Sequence, residues 1–150
     1  NMDPRTNGAI VFENMETSIP GIFGCGNVVQ VHDLVDFVTA ESMRAGAAAA
    51  KYAAGQEAGG SVIEVKTGNC VTYTVPQHIR RENVEKVVEV FFRVNNVYRD
   101  MVIQVKDGEE ILCQFKREHM APGEMEKIAI PRVLLDKVQG ENITITVEKQ

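Results

Sequence analysis

The chain has 150 residues, 44% of them apolar and 25% charged, with a net charge of −5. That length suits one domain, or one small domain beside a fragment of another, and the composition is ordinary for a soluble globular protein. The acidic balance, without a basic block or stripe, argues against a nucleic-acid or anionic-membrane surface. No apolar run approaches the roughly 18 residues that suggest a membrane span.

The polar N-terminus shows no signal-peptide core, and its start at Asn1-Met2-Asp3-Pro4 reads either as cut from a longer protein or as carrying a vector remnant. Residues 1–55 have an α/β character. Gly8 to Phe12 is a short strand, Pro20-Gly21 a turn, and Gly21 to Phe23 the end of a second strand. A small-residue corner follows at Gly24-Cys25-Gly26-Asn27. From Asp33 or Leu34 to Ala54 the period becomes helical, with Leu34, Val35, Val38, Ser42, Ala45, Ala49 and Tyr52 recurring at three and four. Asp33 suits the N-cap, and Gly55 the left-handed position that ends a helix. The Ala45–Ala50 stretch has so little bulk that it predicts close packing on a sheet or another helix.

Residues 56–61 (Gln-Glu-Ala-Gly-Gly-Ser) read as a linker, with the domain boundary there. Beyond it the period falls to two. Val62–Lys66, Cys70–Val75, Val88–Val94, Met101–Val105, Ile111–Phe115, Met125–Ile130 and Ile143–Val147 are strands, with one short helix within Pro131–Val138. Asp107-Gly108 between alternating runs predicts a hairpin. About seven short strands at even spacing predict an antiparallel immunoglobulin-like β-sandwich over residues 62–150. The expected fold is thus α+β and mostly β: a truncated end of an α/β domain, then the sandwich.

A strand, a glycine corner and a helix start present backbone N–H groups and a positive dipole end to an anionic or electron-rich ligand atom. Spacing of this kind also serves plain packing. The residues say more. Met15–Asn27 (METSIPGIFGCGN), then Val31-His32-Asp33-Leu34-Val35-Asp36 and the Ala-rich helix, closely resemble one segment of the flavoprotein pyridine-nucleotide oxidoreductases. It is the last stretch of their FAD domain, where a T-x-x-P-G-(I/V)-(F/Y)-A-x-G-D strand precedes a helix. The nearest likeness is to the FAD-dependent, pyridine nucleotide-disulfide branch encoded beside glycerol-3-phosphate genes. Asp3-x-x-Thr6-x-Gly8 fits the preceding strand, so the resemblance spans residues 3–54.

The resemblance implies that Gly26, Asn27 and Val28 meet the ribityl side of FAD, and that Val35, Asp36 and Phe37 lie at the flavin edge. Asn27 stands where the family carries an acid; its amide can accept or donate a hydrogen bond but brings no charge. The family's dinucleotide fingerprint, its NAD(P) domain and any redox cysteine pair belong before this segment. One corner and one helix leave most of a flavin wet. The resemblance therefore implies the C-terminal part of an FAD-dependent NAD(P)H oxidoreductase, inactive by itself, with the sandwich serving oligomerisation or the docking of an electron-transfer protein. The alternative is a non-catalytic sandwich for interaction or dimerisation, its first 55 residues a non-functional remnant whose helix, with an apolar face otherwise exposed, has to dock on the sandwich, dimerise or swap with a neighbour.

Three scattered cysteines, Cys25, Cys70 and Cys113, fit no disulfide framework and suggest a cytoplasmic setting. Cys25 reads as a small structural residue, and Cys113 as a core residue in phase with Ile111 and Phe115. A zinc site from Cys70, His78, Cys113 and His119 lacks any closely spaced ligand pair. His32 is either a proton donor or a capping, solvent-facing residue; His78 and His119 read as surface residues. Arg80-Arg81, Lys116-Arg117 and Arg132 alternate with acids, as on a solvated mixed surface.

Overall fold

The computed structural model describes all 150 residues, and it is mostly β with one long helix. Strands β1 (Met2–Asp3) and β2 (Gly8–Ala9) form a small antiparallel hairpin. Only two residues of the expected Gly8–Phe12 strand lie in it; Val11 and Phe12 instead make isolated bridges to Thr17 and His78. The expected Gly21–Phe23 strand end is likewise reduced to a single bridge between Phe23 and Glu16. Gly8 is required sterically, because a Cβ there would run into the Val29 backbone carbonyl.

Helix α1 (Val35–Ala53) begins at Leu34 without a side-chain cap. Asp33 does not cap it: its carboxylate accepts from the Met125 amide at 3.1 Å and faces Arg93 at 3.6 Å. The expected stop is as read. Gly55 has φ +82°, its N–H donates to the Tyr52 carbonyl, and the Gln56 N–H donates to that of Lys51. That is the paired bonding of a left-handed glycine end.

Residues 56–61 carry no helix or strand. Beyond them come β3 (Val62–Thr67), β4 (Val71–Val75), β5 (His78–Arg80), β6 (Val87–Val94), β7 (Tyr98–Asp107), β8 (Glu110–Met120), β9 (Glu126–Pro131), the single-turn α2 (Arg132–Leu135) and β10 (Asn142–Lys149). They form a five-stranded sheet, β5-β3-β10-β7-β8, and a three-stranded sheet, β4-β6-β9. β10 runs parallel to β3, with Asn142 opposite Glu64, so the larger sheet is mixed rather than wholly antiparallel. Alternation reports which face a residue takes, not strand direction. β5 carries too short a run to be legible, and Thr67-Gly68-Asn69 leads between sheets, not into a hairpin.

One core fills the space between the sheets. Val88, Val90, Phe92 and Val94 of β6 meet Ile103 and Val105 of β7 and Ile143, Ile145 and Val147 of β10. The opposite face of the smaller sheet is also covered. An irregularity in pairing between Val71 and Tyr73 puts Val71 in the main core, while Tyr73 and Val75 join a second core with Val11, Met15, Val29 and Ala45. An extra residue in a strand turns the side chains beyond it to the other face. Phe91 lies on this outer face, 5.6 Å from Phe37 in an edge-on pair. Helix α1 and the N-terminal segment therefore form a layer over the three-stranded sheet.

Arg80 also joins this layer to the sheets. Its guanidinium pairs with Glu16 and lies 3.7 Å from the centre of the Phe12 ring, and the Arg80 backbone N–H donates to Glu13. It is buried, not part of a solvated surface. Burial of such a charge needs compensating carboxylates, which Glu13 and Glu16 supply from a distant part of the chain.

Candidate functional site

Gly26 opens a 3-10 turn, Gly26–Val28, with φ +71°, a backbone region that glycine enters without strain. What holds the corner is a residue the expected site lacks. Glu41, on α1, is 1% exposed. Its Oε1 accepts the Gly26 N–H at 2.7 Å and lies 3.1 Å from His32 Nε2; its Oε2 accepts from Gln30 Nε2 at 3.0 Å. A buried carboxylate is tolerated here because every donor around it converges on it. The signal was present in the sequence: Glu41 follows Val38 by three and precedes Ala45 by four, so a charge sits in the apolar stripe.

His32 is neither a cap nor solvent-facing; its side chain is 2% exposed against Glu41. Its Nδ1 and the Oε1 of Gln30 are buried without partners. His78 departs from the surface expectation too, being half-buried against Phe12 with its Nδ1 buried, whereas His119 is exposed beside Glu124.

Of the six expected cofactor residues, Gly26 is buried in the corner while Asn27 and Val28 are exposed at its tip. Asn27 Oδ1 accepts the His32 N–H at 3.3 Å, which leaves its NH2 group outward as a donor. Val35 and Asp36 are exposed at the start of α1. Phe37 turns inward onto Phe91, so it offers a ligand only its backbone. The N–H groups of Val35, Asp36 and Phe37 make no hydrogen bond within the chain. These amides carry the positive end of a 19-residue helix. Val28, Val31, Leu34 and Val35, in the corner, the loop and the helix start, are exposed apolar side chains; Ile19 and Ile22 are exposed too, but in the turn whose Gly21 lies against Tyr52 near the other end of α1.

None of the six residues lines either main cavity. One, of about 560 Å³, lies between the second half of α1 and the start of β6, with Arg44, Lys51 and Tyr52 facing Glu85 and Glu89. The other, of about 450 Å³, is bounded by Arg5, Lys66, Gln77 and His78. Of the cysteines, Cys25 packs on the second core, while Cys70 and Cys113 pack on the main one. Burial pushes the Cys113 thiol above its ordinary range, which lowers its thiolate fraction. No three His, Cys, Asp or Glu side chains are arranged to hold a metal ion.

No protein-family model, curated protein or solved structure matches this chain.

Proposed function

We propose that the chain is the C-terminal part of an FAD-dependent NAD(P)H oxidoreductase, with residues 1–55 ending its FAD domain and residues 62–150 forming an immunoglobulin-like accessory sandwich. The observation that carries this reading is the uncapped start of α1. Three free amides there stand beside a glycine corner whose exposed tip offers a fourth donor, the Asn27 amide. Such an array suits an electron-rich ligand edge, and the sequence around it resembles the flavoprotein segment.

When bound, FAD supplies the two-electron exchange with the nicotinamide. The chain's own part is to hold it. Gly26 lets the backbone approach the ribityl side, and Asn27 donates there in place of an acceptor carboxylate. The amides of Val35, Asp36 and Phe37 orient the flavin's pyrimidine edge and stabilise negative charge on it. The exposed apolar residues Val28, Val31, Leu34 and Val35 are the surface against which the rest of that pocket closes. By itself the chain leaves a flavin mostly in water, so it is inactive alone.

The same apolar surface favours a second reading, a non-catalytic interaction module that dimerises through it. Colour separates the two. The intact parent protein should purify yellow and oxidise NADH or NADPH, while this chain should be colourless. A parent that takes up no flavin under native conditions removes the oxidoreductase reading in favour of the module. Stoichiometric FAD on this chain alone overturns its incompleteness.

A further inference from the structure

Between the corner and α1 runs a loop, residues 29–34, that a side chain from the sandwich grips. Arg93 of β6 reaches through the outer face of the three-stranded sheet and is only 14% exposed. Its Nη2 donates to the Val31 carbonyl at 2.8 Å, its Nη1 to the Pro122 carbonyl at 3.1 Å, and its Nε to the Tyr73 hydroxyl at 3.0 Å. Asp33 completes the junction, 3.6 Å from Nη2 and accepting the Met125 amide. Every arm of one planar fork is thus engaged, and each acceptor lies in a different segment.

We propose that Arg93 is a positioning residue through which the sandwich sets the free amides of α1 relative to the glycine corner. The part of this concerning FAD rests on the function proposed above. Glu41 holds the corner from the helix side; Arg93 and Asp33 hold the approach to the helix from the sheet side. The loop between has two fixed ends, and its apolar residues Val31 and Leu34 stay exposed instead of collapsing onto the sheet. The sandwich then acts on the cofactor site directly, whatever else it docks. Tyr73 supports the same geometry: burial raises its phenol pKa, and the Arg93 hydrogen bond opposes that rise.

Amide exchange on this chain tests the grip. Arg93→Met keeps the apolar stem and removes the fork; Arg93→Lys keeps the charge but cannot span the three acceptors. Both should speed exchange of the protected amides in residues 29–39 at least tenfold while Ile143, Ile145 and Val147 of β10 keep their rates. Unchanged exchange at 29–39 overturns the proposal. So does equal acceleration in β10, which reports general loosening. In the flavin-loaded parent protein, Arg93→Met should move the flavin reduction potential to a more negative value, because displaced amides stabilise the reduced form less. An unchanged potential overturns the cofactor part and leaves the grip standing. A parent without flavin defeats the functional reading above, and the exchange experiment remains decisive for Arg93.

Discussion

Glu41 shows how much one residue can carry. Three donors from three positions, Gly26, Gln30 and His32, end on its two oxygens inside the protein. Glu41→Ala strands all three and should cost about 3 kcal/mol in urea unfolding, with Glu41→Gln losing less because one acceptor oxygen remains. Equal stability of Glu41→Ala and the parent sequence would show that the corner stands by backbone geometry alone. Asn27 works at the same scale. Its identity was legible as a departure from an acidic pattern; its orientation was not, because the partner that turns its carbonyl inward is the His32 amide five residues on.

At the scale of elements, the helix end was easier to read than the helix start. Gly55 needs only its own φ and the two bonds it closes, all local. Asp33 was a sound N-cap by residue type, yet β6 and the loop before β9 offered it a guanidinium and an amide instead. A second element-level link is made by Glu82, in the 3-10 turn after β5, which accepts from the Ser61 amide and hydroxyl at the start of β3. Its own backbone amide, and then Ser61, hold the Glu82 carboxyl below the usual range. Hydrogen bonds from Thr146 and Asn69 do the same for Glu148. A lowered folded-state value means stability that is present above the ordinary glutamate pKa of 4.5 and lost as pH falls through the folded value. Glu82→Gln should therefore flatten the decline of stability below pH 4.5, modestly and less so in high salt, since the group is exposed. Superimposable acid limbs for variant and wild type would contradict this.

At the scale of the whole molecule, the question is whether residues 1–55 and 62–150 behave as two bodies. The linker composition of residues 56–61 suggests a boundary, and the segment is irregular. Yet Val11, Met15, Val29 and Ala45 share a core with Tyr73 and Val75, and Arg80 is buried between Glu13, Glu16 and Phe12. Removing one side would expose the other's apolar face and leave an uncompensated buried charge. Calorimetry should accordingly show one cooperative transition whose calorimetric and van't Hoff enthalpies agree. Two resolved transitions would mean that the layers fold independently.

What the sequence determined by itself was everything set by local periodicity and local backbone freedom. Alternation placed the long strands of the two larger sheets, the three-and-four spacing placed α1, and Gly55 and Asp107-Gly108 marked where the helix stops and the chain turns. The glycine corner was legible for the same reason, since close backbone approach demands small residues nearby in the chain. Tertiary structure alone decided strand direction and partner choice: β3 beside β10 in parallel, β5 on an edge, Val71 and Tyr73 on opposite faces of one sheet. It also decided the roles of charged residues. Arg80 reads as solvated and Asp33 as a cap, and each, like Glu41 and Arg93, is instead held by partners that other segments bring. Periodicity reports which side of an element is apolar; a charge's place depends on the far groups that compensate its burial.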